Sequence, residues 1–207
     1  MAEMKFSAVI LAGGASRRMG RDKAAIAVRG LSLLARAVAT VRRAGVSEIF
    51  ISGREGGNYA AVDCPVLFDA KPGCGPLGGI ERALSVMSSP LLLVLAVDLP
   101  KMTATFLRKL LAVCDANMGV VPKWRGELEP LAALYPKRCH ALVLAALRED
   151  RLAARDFAEA CLHAKAVRTF PVTATDRVRF ANCNSPGDLS AIASRATCGV
   201  TGSQGSS

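Results

Sequence analysis

The chain has few aromatic side chains, few histidines, little acidic charge and no hydrophobic run long enough to cross a bilayer. Phe, Trp and Tyr make up 5% of the 207 residues. None is interleaved with the arginines of 17 to 21, so the stacking platforms that hold single-stranded nucleic acid are missing. Only His140 and His163 are present, and both fall in helical patterns. No Ser-His-Asp or Cys-His arrangement emerges, and the chemistry is expected to need no protein nucleophile. Apolar runs such as "PLLLVLAV" (90 to 97) fall far short of the ~20 residues a membrane span needs, and "MAEMKFSAVILAGG" lacks a signal-peptide cleavage pattern. A soluble, cytoplasmic protein with no membrane partner is expected. Seven cysteines with no C-x-x-C pair suggest neither a disulfide framework nor a zinc ribbon, and reduced thiols are the plain reading.

What the chain does have is apolar bulk and positive charge. Hydrophobic residues make up 51%, enough for one sizeable core in a chain too short to require two full-size domains. The formal net charge is +10, and it is lopsided: residues 1 to 54 carry ten Lys/Arg against three Asp/Glu. Anionic ligands are therefore expected near the N-terminal half. A basic balance also suits nucleic acid, but without interleaved aromatics a small phosphorylated ligand fits better, and no nucleic-acid partner is expected.

Strand-length runs recur at "FSAVILA" (6 to 12), "EIFIS" (48 to 52), "PVLF" (65 to 68), "LLLVLAV" (91 to 97) and "MGVVP" (118 to 122). Several are apolar on both faces, as in parallel sheets covered by helices. Between them, Leu34, Val38 and Val41 repeat at helical spacing and stop at Gly45, and Phe106, Leu107, Leu110 and Leu111 mark a second stripe. Helices are expected around 138 to 148 and 151 to 163, then a strand pair near 166 to 172 and 178 to 182, and a last helix opened by "SPGDLSAIASRA". The alternation predicts an α/β fold, a doubly wound, mostly parallel sheet with helices on both faces, in a single domain over 1–196. The uncharged stretch 197–207 is expected to be a disordered tail.

In such a sheet, ligands bind beyond the carboxyl ends of the strands. There the first strand runs into "LAGGASRRMGRDK" (11 to 23), where Gly13 and Gly14 let backbone approach a ligand that a Cβ would block. The spacing fits neither G-x-G-x-x-G nor the phosphate loop ending in Lys-Ser/Thr. Asp98 follows "LLLVLAV" and Asp69 follows "PVLF". Carboxylates at strand ends suit a Mg²⁺ site or an ordinary turn cap, and the residues alone leave both open.

The full string "LAGGASRRMGRDK" resembles the opening of the molybdenum cofactor guanylyltransferases, within the broader MobA-like nucleotidyltransferase family. The similarity continues in order through "FDAKPGCGPLGGI" (68 to 80), "AVDLP" (96 to 100), "EPLAALYP" (129 to 136) and "RFANCNSPGDL" (179 to 189), nearly the whole chain outside the tail. The resemblance implies a Rossmann-like nucleotidyltransferase fold. It implies that Leu11, Ala12, Gly13 and Gly14 hold a guanine base, that Lys23 reaches the triphosphate with Arg18 as a further donor, and that Arg17 and Arg21 lie near. Asp98 is implied as the Mg²⁺ ligand, Asp69 as a nucleotide contact before the loop of Gly75, Gly78 and Gly79, and Asn182 and Asn184 as pterin contacts. The family commonly has Asn at the end of the second strand; "FISGRE" places Ser52 there, with Asn58 following in the next loop. Arg151 and Arg155, spaced i, i+4 on the expected helix, are further candidate contacts to the pterin phosphate.

The activity so implied is Mg²⁺-dependent transfer of GMP from GTP to molybdopterin carrying molybdenum, with release of pyrophosphate. Lys23 and Asp98 would be the catalytic residues, and molybdoenzymes or their chaperones candidate partners. The rivals are a cytidylyltransferase for the same pterin, a transferase acting on a sugar or alcohol phosphate, and a non-catalytic GTP-binding adaptor.

Overall fold

Strand-length apolar runs alternate with amphipathic stretches. The computed structural model, which describes residues 5–13, 27–28, 30–69 and 73–183, folds them into a mixed sheet with helices on both faces. In chain order the elements are β1 Phe6–Leu11, a short antiparallel pair of β2 Ala27–Val28 and β3 Leu31–Ser32, α1 Leu33–Arg43, β4 Glu48–Gly53 and β5 Val66–Phe68. Then come α2 Gly75–Val86, β6 Leu91–Ala96, α3 Ala104–Leu111, β7 Gly119–Trp124, β8 Glu127–Leu128 and β9 Ala132–Pro136. The last are α4 His140–Arg148, α5 Ala154–His163, β10 Val167–Pro171 and α6 Ala174–Arg177. The strand order is β10-β7-β9-β6-β1-β4-β5, with β8 paired to β7. Pairing is parallel for β1 with β4 and β6, β4 with β5 and β7 with β10; β9 runs against both its neighbours. The fold is thus the doubly wound, mostly parallel single domain that the sequence predicts.

β6 shows why both faces are covered. Leu91, Leu93 and Leu95 pack into the cluster beneath α1 and α3, and Leu92 and Val94 into the opposite cluster with α2, α4 and α5. Successive strand residues point to opposite faces, so a continuous apolar run is stable only when each face meets a helix layer. Each buried leucine contributes roughly 1.5–3 kcal/mol. The helices carry their own start and stop signals. The Ser32 hydroxyl accepts from the Ala35 N–H to open α1, and the Thr103 hydroxyl accepts from the Phe106 N–H to open α3. Gly45, at φ 94°, turns the chain out of α1.

Three local expectations are corrected. Residues 178 to 182 are not a strand: Val178–Phe180 form a 3-10 turn, and β10 pairs with β7. The Arg179 guanidinium donates to Asp176 three residues earlier at 2.9 Å, a reach that suits a helical turn and not an extended chain. The helix expected from 151 begins at Ala154, because Asp150 at φ 54° ends α4 and the Arg151 N–H returns to the Ala146 carbonyl at 2.9 Å. Finally, β9 was not anticipated as a strand. Among the described residues, no helix is long and apolar enough to cross a membrane. The proposed tail 197–207 and last helix lie outside the described residues.

Candidate functional site

After β1 the chain lays β4 and β5 on one side, then crosses over to lay β6 on the other. In open α/β sheets ligands bind beyond the strand ends where the order reverses, so the tips of β1 and β6 define the candidate site. Pairing persists past both strands: the Val97 N–H donates to the Leu11 carbonyl at 3.2 Å, and the Ala12 N–H to the Ser52 carbonyl at 2.9 Å. Leu11, Ala12 and Gly13 therefore emerge between the ends of β4 and β6, with Asp98 one residue beyond Val97. Asp98 is half-buried.

Glycines allow the backbone to close up here. A Cβ on Gly13 would lie 3.2 Å from the Gly53 carbonyl oxygen, tighter than ordinary contact. A Cβ on Gly53 would lie 2.7 Å from the Tyr59 ring and 2.8 Å from Val66. Tyr59 is 7% exposed, and its hydroxyl accepts from the Arg54 N–H at 2.8 Å. Gly13, Gly53 and Tyr59 thus stack in sequence, with the tyrosine supporting the turn from behind.

The first turns of α2 form the next wall. Gly75 sits at φ 58°, Pro76 occupies the first turn, and no side chain caps the helix. A Cβ on Gly78 would come 2.6 Å from the Asp69 carboxyl carbon, and one on Gly79 would come 2.2 Å from the Ser52 hydroxyl. The Asp69 carboxylate therefore rests on the helix at Gly78. Burial, and then the Glu81 carboxylate, push its pKa above the ordinary carboxylate value. Glu81 is itself paired to the His140 ring nitrogen Nε2 at 2.9 Å. Ser52, near the end of β4, is 6% exposed and packs against α2, so a longer Asn there would press on Gly79. Asn58 lies exposed in the following loop, where its side chain accepts from the Ala60 N–H.

On the other side of the mouth, the Cys183 N–H donates to the Asp98 carbonyl at 2.9 Å, which places exposed Asn182 next to the end of β6. The turn before β9 reaches the same edge, because the Ala96 N–H donates to the Leu131 carbonyl at 2.8 Å. It brings Glu129, whose pKa burial raises against the opposing pull of Arg177 3.3 Å away. Glu129, Tyr59 and Arg179 were not singled out as site residues by sequence reasoning. The "EPLAALYP" string contains the first and "RFANCNSPGDL" opens on the third, but nothing local pointed at Tyr59.

Leu11, Ala12, Gly13, Ser52, Asp69, Asp98 and Asn182 thus all lie along one edge of the sheet. Gly14, Arg17, Arg18, Arg21, Lys23 and Asn184 lie outside the described residues. Arg151 and Arg155 do not share a helix face: Arg151 precedes α5 and pairs with Glu149, while Arg155 pairs with Glu127 and Glu159. Their charges are engaged with carboxylates at the surface.

A doubly wound α/β sheet with glycines at the strand tips beside its switch point and a carboxylate at the adjoining strand tip is the architecture of nucleotide-binding α/β proteins. The chain matches the MobA-like NTP transferase domain over residues 8–166. A probable molybdenum cofactor guanylyltransferase of Opitutus terrae is 34% identical over 86% of this chain and 90% of its own. The molybdenum cofactor guanylyltransferase of Xanthomonas euvesicatoria is 31% identical over 87% and 90%. Among solved structures, molybdopterin-guanine dinucleotide biosynthesis protein A of Archaeoglobus fulgidus superposes with a TM-score of 0.72 at 21% identity, covering 92% of this chain and 98% of that one. A nucleotidyl transferase of Methanothermobacter gives 0.74 at 18% identity, over 92% and 97%. The chain belongs to the MobA-like NTP transferase family.

Proposed function

We propose that this protein transfers GMP from GTP to the terminal phosphate of molybdopterin carrying molybdenum, forming the guanine dinucleotide cofactor and releasing pyrophosphate. Family membership and the names of relatives that align along most of their length support this reading. The observation that carries it is the tip of β1: Leu11, Ala12 and Gly13 emerge between the ends of β4 and β6, with Asp98 just past β6, at the point where the strand order reverses.

Asp98 suits Mg²⁺, which takes one or two carboxylates plus nucleotide phosphate oxygens and keeps several waters. Among the described residues, no group of three or more His, Cys, Asp or Glu is gathered as a protein-only cage, and a strand-end carboxylate beside the nucleotide suits a site completed by phosphate oxygens and waters. Mg²⁺ held by Asp98 would neutralise charge on the triphosphate. The remaining work falls to the protein's own groups. The β1 turn fixes the base, and Lys23 stabilises charge moving onto the departing pyrophosphate. The acceptor is a phosphate monoester whose second pKa is ~6, so at neutral pH it attacks the α-phosphorus as the dianion and needs no general base. A P–O bond forms to the acceptor as the bond to pyrophosphate breaks, and positioning supplies most of the rate.

Pyrophosphate release with GTP, CTP, UTP and ATP, each with and without molybdopterin, tests the reading. Release is expected only with GTP and pterin together. Equal use of CTP overturns the guanine assignment, and GTP binding without turnover makes the protein an adaptor.

A further inference from the structure

Residues 172 to 183 leave the edge strand β10 and run back across the carboxyl ends of the strands to the centre of the sheet, fastened at every step. The Val172 N–H donates to the Lys123 carbonyl of β7 at 3.0 Å. Thr173 opens α6 by accepting from the Asp176 N–H at 3.1 Å. Arg177 pairs with half-buried Glu129 in the turn before β9. Arg179 spans two anchors, donating through Nε to Asp176 at 2.9 Å and through Nη1 to the Thr103 hydroxyl at 3.0 Å, with its guanidinium 5.8 Å from the centre of the Phe106 ring. Lys109 of α3 adds a second cation 3.5 Å from Asp176. Phe180 is 3% exposed and meets Phe106 edge-on at 5.4 Å. The run ends on the Asp98 carbonyl through the Cys183 N–H.

This many fastenings on twelve residues exceed what a connecting loop needs. The Asp176 side chain is only 8% exposed, and its carboxylate is met by two cations and the Thr173 hydroxyl. A charged group so enclosed is stable only in one geometry, because losing a partner leaves it buried and unpaired. The geometry delivers Asn182 to the mouth, on the opposite side of Asp98 from the glycine turn.

We infer that residues 172–183 are a strap whose cations Arg177 and Arg179 act as positioning residues, holding Asn182 beside Asp98 so that the acceptor's polar groups are met on that side. The inference deepens the proposed function and rests on it for the identity of the acceptor. Arg179 is the stronger fastening, since it is more enclosed and bridges two elements, whereas the Arg177–Glu129 pair is partly exposed and screened.

The test pairs hydrogen exchange with steady-state kinetics on the full chain for Arg179→Gln, Arg179→Lys and Arg177→Gln. Arg179→Gln is expected to accelerate exchange in the peptide covering 178–183 while β1, β4 and β6 stay protected. It should raise the molybdopterin KM by about 10- to 100-fold and leave the GTP KM within about twofold. Arg179→Lys recovers part of both effects, and Arg177→Gln gives the same pattern, smaller. Unchanged exchange at 178–183 overturns the strap, as does a parallel rise of both KM values. If the wild-type protein transfers no GMP to molybdopterin while Arg179→Gln still loosens 178–183, the proposed function and the acceptor role fall together and the strap stands as a structural device.

Discussion

The two sides of the mouth are built on opposite plans. On the β1–β4–β5 side, the chain approaches by omission: Gly13, Gly53, Gly78 and Gly79 each stand where a methyl group would press on a carbonyl, a ring, a carboxylate or a hydroxyl. On the β6–β9–β7 side it holds by addition, with Arg177, Arg179 and Lys109 tied to Glu129 and Asp176. A flat base needs space and backbone donors, which small residues provide. An irregular acceptor needs projecting groups at fixed positions, which charged tethers supply. The contrast implies that damage on the first side is steric and felt in nucleotide choice and stability, whereas damage on the second is electrostatic and felt in acceptor binding.

Asp98 stands at the join, so its loss should exceed any effect confined to one side. Asp98→Asn is expected to lower kcat by about 10²- to 10³-fold with little change in melting temperature, measured as pyrophosphate release and thermal unfolding. Next is Gly79→Ala, whose new methyl would sit 2.2 Å from the buried Ser52 hydroxyl. A loss of about 1–3 kcal/mol in urea unfolding is expected. Adding Ser52→Ala should recover only part of it, since the Ser52 Cβ would still lie 2.6 Å away. Tyr59→Phe keeps the ring under Gly53 and removes the acceptor for the Arg54 N–H, so about 1 kcal/mol is expected, with the KM for GTP moving more than that for the acceptor. An acceptor-selective effect from Tyr59→Phe would erase the division between the two sides.

The smallest effect has the most informative sign. Because burial and Glu81 raise the Asp69 pKa, the folded state holds that proton more tightly than the unfolded chain. The stabilisation is fully present below the unfolded value and is lost as pH rises through the folded one. At neutral pH the ionised Asp69 therefore costs stability, and Asp69→Asn should raise the melting temperature by about 1–3 °C at pH 7 while raising the GTP KM. The gain should shrink as pH falls into the carboxylate range. A constant gain across pH would show that the amide acts by packing alone.

Much of this was legible in the sequence because it is written locally. Several of the runs that became β1, β4, β5, β6 and β7 are apolar on both faces, and Asp69 and Asp98 stand just past the ends of β5 and β6. β9 was missed because nothing in "AALYP" announces its direction; that comes from pairing with β6 and β7, 37 and 14 residues away at the closest matched positions Leu95↔Ala132 and Val120↔Leu134. The turn at 178 to 180 was misread as a strand because "VRF" suits either state, and the choice is made by Asp176, Thr103 and Phe106 around Arg179. The glycines were read as room for a ligand. Their second role, as sockets for Tyr59, Asp69 and Ser52, depends on partners that only the folded chain brings near.

The reversed course of β9 also governs where the protein can change. Since β9 ends at Pro136 and the Lys137 N–H bonds the Pro90 carbonyl ahead of β6, the chain leaves β9 for α4 at the far rim of the sheet. Extra residues spliced between β8 and β9 would grow over the pocket's entrance and alter which molecules are admitted. The same insertion after β9 would decorate the opposite pole and leave substrate choice untouched.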